Sequence, residues 1–499
     1  MHIAPGILPS TTPRLRPARP YVILCLALLG AALTSPASLA ADVGTLEADV
    51  AELERQLTQA RARLAAAREA ERAGAASAGQ AQELTGQAQA IADQDTAALE
   101  PTGLETTGSE PSANDDKIRF GPLTIGGAMR VNYVNGDYSG SGDGPRRGGN
   151  GGNVELDTFR INASLDYGKL NGKLEYRWYN GYNFLHTLWL GYGFDSGDQL
   201  QAGVTRVPFG PGPYGISQSW FFDQHYYLGL SDDMDLGLKY LTRRGPWELA
   251  LAWFPSSEGN WNGNSADSAR YSYDAVRWRS AIDPNGDVVA APENGYSERN
   301  QFNLRAIYHL EDVAIPTAAG LSLQAGQLDG KRADDGEHWA ASVHMINHIG
   351  QLTLASQLTR YQYDIDADNP LGTDELLPMG AYDFAWPVAA DAWVPALSVS
   401  YKLDTPRLGW LDYALPYIEY SSIVKDIDRA NDSQMLTLGM AFASGGWYVY
   451  TDYVRATGNL FIGNRGDDYS NIYDGVGDFG ITGNDRWNDR FNINFGYYF

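Results

Sequence analysis

From about residue 117 onward this chain alternates apolar and polar side chains with a period of two, and the polar set is charged. LTIGGAMRVNY (123–133) puts Ile125, Met129, Val131 and Tyr133 on one side and Thr124, Arg130 and Asn132 on the other. TFRINASLDY (158–167) sets Phe159, Ile161, Ala163, Leu165 and Tyr167 against Arg160, Asn162, Ser164 and Asp166. KLNGKLEYRWY (169–179) sets Leu170, Leu174, Tyr176 and Trp178 against Asn171, Lys173, Glu175 and Arg177. RFNINFGYYF (490–499) ends the chain with Phe491, Ile493, Phe495, Tyr497 and Phe499 on a single stripe. A period of two means β-strands with unlike faces. Comparable segments lie near 184–194, 198–207, 234–242, 246–254, 300–310, 320–328, 338–346, 351–361, 394–402, 414–422, 434–443 and 446–455. Of these, 198–207 and 414–422 carry the weaker patterns. The total is about 16, an even number, as in single-chain outer-membrane barrels.

A sheet with one apolar and one polar face can close either way. In water the polar face would point out and the apolar face would need packing. Here an inward polar face carries Arg130, Arg160, Lys173, Glu175, Arg177 and Gln301. Buried charges of that number are tolerable only if each is paired. Facing the apolar residues to lipid and the charges to a wet lumen removes the conflict, and closure satisfies the backbone inside the hydrocarbon. About 16 strands leave an aqueous channel rather than a filled core. Trp178, Tyr133, Tyr192, Trp247 and Trp253 fall near strand ends, where interfacial aromatic girdles sit. The stripe at the C-terminus is then the closing strand, paired with 123–133, with Asn492, Asn494 and Tyr498 facing the lumen.

The connections give a second signal. DYGK (166–169), RRGP (243–246), HIGQ (348–351) and SGG (444–446) are short, while 136–153, 255–298, 362–393 and 456–487 are long. Short turns on one side and long loops on the other describe a transmembrane barrel. The alternation breaks at 180–183 and softens at 403–413.

Ahead of the barrel lie three other regions. Arg14, Arg16 and Arg19 precede the apolar run YVILCLALLGAAL (21–33), and small residues end the segment at Ala40. This reads as a cleaved signal peptide over 1–40. Cys25, the sole cysteine, lies inside it, so the mature chain holds no disulfide. Residues 41–72 place Leu46, Val50, Leu53, Leu57, Ala60 and Leu64 on an a/d seam, which predicts a short coiled-coil helix for oligomerisation. Residues 73–116, rich in Ala, Gln, Gly, Thr and Ser, read as a flexible linker. The net charge of −24 becomes more negative once the basic leader is removed, which argues against nucleic acid as a partner.

With the N-terminus in the periplasm, the third external loop is 208–233, PFGPGPYGISQSWFFDQHYYLGLSDD. Pro208, Gly210, Pro211 and Pro213 turn it out of its strand. Trp220, Phe221, Phe222, Tyr226 and Tyr227 would be misplaced in water, so the loop is expected to fold inward and narrow the lumen. Its acidic residues Asp223, Asp232 and Asp233 would face Arg130, Arg160, Arg177 and Arg305, all inward by parity, across the constriction. Charged rings of this kind set ion preference.

The TRVPFG stretch (205–210) leading into the third loop, the helix before the barrel and the terminal Phe499 together resemble the Gram-negative outer-membrane porins, closest in layout to the phosphate-selective porin O/P family. The resemblance implies a homotrimer of barrels, each with its own channel, in the cell outer membrane. It also implies that Phe495, Tyr497 and Phe499 form the signal read by the barrel insertion machinery. Phosphate selectivity does not carry over, because no Lys or Arg occurs between residues 207 and 238. The expected function is passive diffusion of small hydrophilic solutes and ions. An anion- or phosphate-selective porin, an adhesin or tether, and a barrel enzyme are the alternatives.

No nucleophile elbow, P-loop or dinucleotide fingerprint occurs, so no enzyme and no cofactor are expected. His338, His344 and His348 meet no zinc spacing and read as wet lumen or turn residues. The acidic stretch 464–475 lacks an EF-hand order and reads as a solvated loop near lipopolysaccharide. No metal site is expected. If the 42–72 helix is an oligomerisation stalk, deleting it will weaken the oligomer in detergent, as read by sedimentation. A trimer unchanged by the deletion would give the helix another role.

Overall fold

The computed structural model describes residues 118–499 except 138–152, 180, 264–267, 283–287, 370, 406–408, 429, 460–461 and 463–484. The leader, the 41–72 helix with its Leu46, Val50, Leu53, Leu57 and Leu64 seam, the linker and the 464–475 stretch lie outside these residues. Sixteen antiparallel strands close into a barrel. They are β1 Leu123–Gly136, β2 Asn153–Tyr167, β3 Leu170–Trp178, β4 Asn183–Gly193, β5 Gln199–Arg206, β6 Met234–Arg244, β7 Trp247–Ser257 and β8 Val288–Leu310. Continuing, they are β9 Thr317–Lys331, β10 Gly336–Ile349, β11 Leu352–Asp364, β12 Asp391–Tyr401, β13 Tyr413–Lys425, β14 Ser433–Ser444, β15 Trp447–Thr457 and β16 Asn488–Tyr498.

Each strand pairs with its neighbours in sequence, and β16 returns to β1 in a register from Ala128↔Tyr498 to Gly136↔Arg490. No edge remains for lipid to meet. Every segment expected from the two-residue period is a strand, including the weak ones now seen as β5 and β13. The external connections are less regular than expected. Residues 332–335 and 426–432 join β9 to β10 and β13 to β14 as short connections on the side of the long loops.

The faces follow parity. Met129, Phe159, Ile161, Leu188, Leu190, Leu251 and Phe495 are exposed on the outer surface, whereas Arg160, Gln201, Ser322, Gln357, Glu419, Asp452 and Asn494 are buried on the inner one. A soluble protein does not expose so continuous an apolar surface. Exposed aromatics collect at two levels. Tyr192, Trp247, Tyr401, Trp447 and Tyr497 lie beside the short turns, and Tyr133, Trp178, Trp253, Trp339, Trp393 and Tyr453 lie towards the loops. This is the doubled girdle of a membrane-spanning barrel.

The seam depends on two glycines of β1. The backbone of Phe499 exchanges bonds with Gly127, N–H to O at 2.8 Å and 3.0 Å in the two directions. A Cβ on Gly127 would stand 2.6 Å from the Arg160 carbonyl oxygen and 2.7 Å from the Phe499 ring, and one on Gly126 would stand 2.6 Å from the Phe499 carbonyl oxygen. Gly127→Ala should therefore cost about 1–3 kcal/mol through overpacking. It would lower the temperature at which the folded, fast-migrating form is lost in detergent gels. Gly212→Ala meets nothing within 4 Å and should leave that temperature unchanged.

Candidate functional site

The segment after β5 begins and ends at one point, where Val207 N–H donates to the Asp233 carbonyl at 2.8 Å. Between these residues its polar groups bond to inward side chains far away in the chain. Gly210, at φ +73°, donates its N–H to Ser322 Oγ on β9 at 3.0 Å. Ser217 Oγ donates to Glu419 Oε2 on β13 at 2.7 Å, and Gln218 N–H donates to Glu419 Oε1. Trp220 N–H reaches Asp452 Oδ2 on β15 at 3.4 Å, and Gln224 N–H reaches Ser421 Oγ on β13 at 3.1 Å. His225 Nε2 meets Thr359 Oγ1 on β11 at 2.8 Å. In the order of the ring β13 lies opposite β5, so the bonds to Glu419 and Ser421 are made on the far wall.

Within the segment the rings pack on one another. Phe222 stacks on Tyr226 at 4.2 Å, and Tyr227 Oη donates to the Phe221 carbonyl at 2.8 Å. A single 3-10 turn, Tyr226–Leu228, ends at Gly229 with φ +66°. A Cβ there would fall 2.2 Å from the Tyr273 carbonyl oxygen, so both the conformation and the space require glycine.

Two further external segments fold against this one. Residues 376–381 and 384–389 form a hairpin that pairs with Asp274–Ala275. Tyr271, Tyr273, Leu376, Leu377, Met379, Trp386 and Val388 are buried in one cluster with Tyr226, Tyr227 and Phe184. Two of the long external connections, 255–298 and 362–393, thus supply a packed apolar core at the outer end of the barrel. Their aromatic residues find partners in the aromatic residues of 208–233.

The inward arginines pair with carboxylates of the wall. Arg130 Nε lies 2.8 Å from Asp157 Oδ2, and Arg177 Nε and Arg160 Nη1 share Glu175 Oε1 at 2.5 Å and 3.4 Å. Arg305 bonds Glu248 at 2.8 Å on the other side of the barrel, with His309 at 3.2 Å on the second oxygen. Both Asp157 and His186 arise from bulges. The register passes from Arg130↔Thr158 to Val131↔Leu156, leaving Asp157 as an extra residue of β2, and from Glu175↔Thr187 to Tyr176↔Leu185, leaving His186 as an extra residue of β4. Each extra residue turns inward beside the arginines, His186 Nδ1 lying 3.6 Å from Glu175. A bulge re-aims a side chain in this way.

The three loop carboxylates go separate ways, and the arginine partners named above are all wall residues. Asp223 holds the loop's own turn, accepting from His225 N–H and facing its Nδ1, both at 2.7 Å. Asp232 binds Arg206 at 2.8 Å and accepts from Tyr271 Oη. Tyr271 also lies under Arg177, whose guanidinium is 4.5 Å from the ring centre, so this ring stands between Asp232 and the arginine cluster. Asp233 is buried elsewhere, beside Asp235 and Asp274.

Two of the three histidines depart from the wet setting expected of them, while His348 is half-buried beside the 350–351 turn. His338 and His344 are buried, His338 stacking on Tyr363 at 5.3 Å, and they face Gly326 and Gly320 of β9. They stand about 20 Å apart along one strand at the usual rise, so they cannot share an ion. His348 contacts Thr353 at 3.1 Å.

Glu419, Asp452 and Arg490 were not singled out from the sequence. Glu419 also accepts from Ser398 Oγ at 3.0 Å, Asp452 from Tyr417 Oη at 2.5 Å, and the Arg490 guanidinium lies 4.9 Å from the Phe221 ring centre. Their inward parity was legible, but the loop partner of each lies more than 190 residues away in the chain.

No protein-family model matches the chain, and no curated protein sequence does. Among solved structures, the chain is similar to the outer membrane channel DcaP of Acinetobacter baumannii, with 11% identity and a TM-score of 0.48 over 76% of this chain and 97% of that one. It is likewise similar to OmpF of Salmonella typhi, solved in complex with daunomycin, with 11% identity and a TM-score of 0.48 over 77% and 100%. The trimer form of OmpT, an outer membrane protein of Vibrio cholerae, gives 14% identity and a TM-score of 0.45 over 76% and 99%.

Glu419→Ala would leave Ser217, Gln218 and Ser398 without their acceptor, at about 1–3 kcal/mol for the buried groups orphaned. Proteolysis within 208–233 should become several times faster, while Glu419→Gln, which keeps one acceptor oxygen, should show a smaller change.

Proposed function

We propose that this barrel is an outer-membrane porin through which small hydrophilic solutes and ions diffuse passively, with 208–233 and the charged wall forming the constriction. The observation that carries the reading is the set of bonds from this segment to Ser322, Thr359, Glu419, Ser421 and Asp452, inside a barrel whose inner wall is polar and charged. A segment stretched across a lumen narrows it at a fixed height, and charges beside it bias which ions pass. In this reading the barrel works as a homotrimer among outer-membrane lipid and lipopolysaccharide, after export by a cleaved signal peptide. Phe495, Tyr497 and Phe499 serve the insertion machinery, and their exposure on the lipid side leaves them readable before closure.

Planar-bilayer recording of the purified protein tests the reading. Stepwise current is expected, and a barrel that passes none would be a tether or adhesin instead. In a salt gradient the expected reversal potential reports weak cation preference or little selectivity, because Arg160 and Arg177 are already neutralised in part by Glu175. Strong anion preference would favour the phosphate-selective alternative. Arg160→Ala with Arg177→Ala leaves Glu175 uncompensated and should shift the potential further towards cations. No shift would mean that these residues do not line the path.

A further inference from the structure

Where the 208–233 segment rejoins the barrel, acidic side chains from separate parts of the chain converge. One carboxylate oxygen from each of Asp233, Asp235 and Asp274 lies within 4.8 Å of the others. Glu258 and Glu298 flank them, and all five residues are buried. The carboxylates are held by bonds to one oxygen. Glu258 Oε1 accepts from Ser272 N–H at 2.7 Å, Glu298 Oε1 from Ala275 N–H at 3.0 Å, and Asp235 Oδ2 from Gln301 Nε2 at 3.2 Å. Asp274 Oδ2 bonds Arg270 Nη1 at 3.0 Å. The remaining oxygens, Asp233 Oδ1, Asp235 Oδ1, Glu258 Oε2 and Asp274 Oδ1, are buried and have no hydrogen-bond partner among the described residues, and neither has the amide oxygen of Gln301.

Buried carboxylates so close repel one another, and Arg270 supplies one positive charge against several negative ones. Something positive, a proton or a cation, must sit among these oxygens. Oxygen ligands of one Ca2+ lie 2.3–2.6 Å from the ion, so two of them stand up to about 5 Å apart, which is the spacing here. The donors are all hard oxygens, as Ca2+ requires, and no thiolate or imidazole is among them.

We propose that Asp233, Asp235 and Asp274, with Glu258 beside them, bind a divalent hard cation, Ca2+. The ion would tie the end of the 208–233 segment to β6 and to the external segment carrying Asp274. This site does not depend on whether the barrel conducts.

Full-length protein refolded in detergent without lipopolysaccharide, stripped with a chelator, provides the test. Tb3+ is the probe, because Tyr273 beside Asp274 can sensitise its emission. Saturable emission that Ca2+ displaces is expected, together with a rise in the heat-unfolding temperature on adding Ca2+. Asp235→Asn with Asp274→Asn should weaken Ca2+ binding on the order of a hundredfold, through the loss of two charged ligands. Asp195→Asn, in an exposed turn, should leave it unchanged. The detergent-gel shift confirms that each variant is folded. Wild-type protein with no Ca2+-displaceable emission and no Ca2+-dependent rise would overturn the proposal, showing that the carboxylates share protons instead. So would emission that the double variant retains in full.

Discussion

A peptide group in hydrocarbon has no water to bond, and this single constraint organises the chain. Sixteen strands satisfy one another only if the last meets the first, and the register from Ala128↔Tyr498 to Gly136↔Arg490 does so. Closure then assigns the faces. Apolar side chains go to lipid, and Arg130, Arg160, Glu175, Arg177, Glu248 and Arg305 go inside. The interior they create is wide, and the protein fills part of it with its own external segments. Phe209, Phe221, Tyr226 and Tyr227 of 208–233 are buried because a polar-walled lumen offers both a place for them and hydrogen-bond acceptors for the backbone that carries them.

The charges within are arranged for mutual neutralisation along the wall. Glu175 stands between two arginines that face each other directly across β2 and β3, as the register Arg160↔Arg177 requires. Like charges directly opposite would destabilise the pair of strands, and the shared carboxylate offsets this. Glu248 likewise holds two side chains of one strand, Arg305 on one oxygen and His309 on the other. Such pairs hold their side chains in fixed positions and present an ordered set of dipoles more than bare charges.

Much of this was legible. The two-residue period located all sixteen strands because one face must suit lipid and the other water, a demand that extends even to the weak stretches around Gln201 and Tyr417. The inward side of the arginines followed from the same parity. What escaped was of two kinds. Partners across the lumen, such as Ser217 with Glu419 or Trp220 with Asp452, depend on which strand lies opposite, and a local pattern carries no such information. The burial of Tyr271, Tyr273 and Trp386 depended on a neighbouring loop supplying rings to pack on. Asp223 and Asp232 were placed in the right segment but turned towards His225 and Arg206, because loop backbone, and not strand parity, aims them.

The extra residues Asp157 and His186 change how the alternation should be read. Each acts as a frame shift in a two-letter code: Phe159 and Ile161 share one phase, and Leu156 and Val154 the other, yet all four face lipid. The outer end of such a strand is therefore phased independently of its inner end. The outer half of each strand can thus be phased to suit the external segments that pack there while the membrane-embedded half keeps its register.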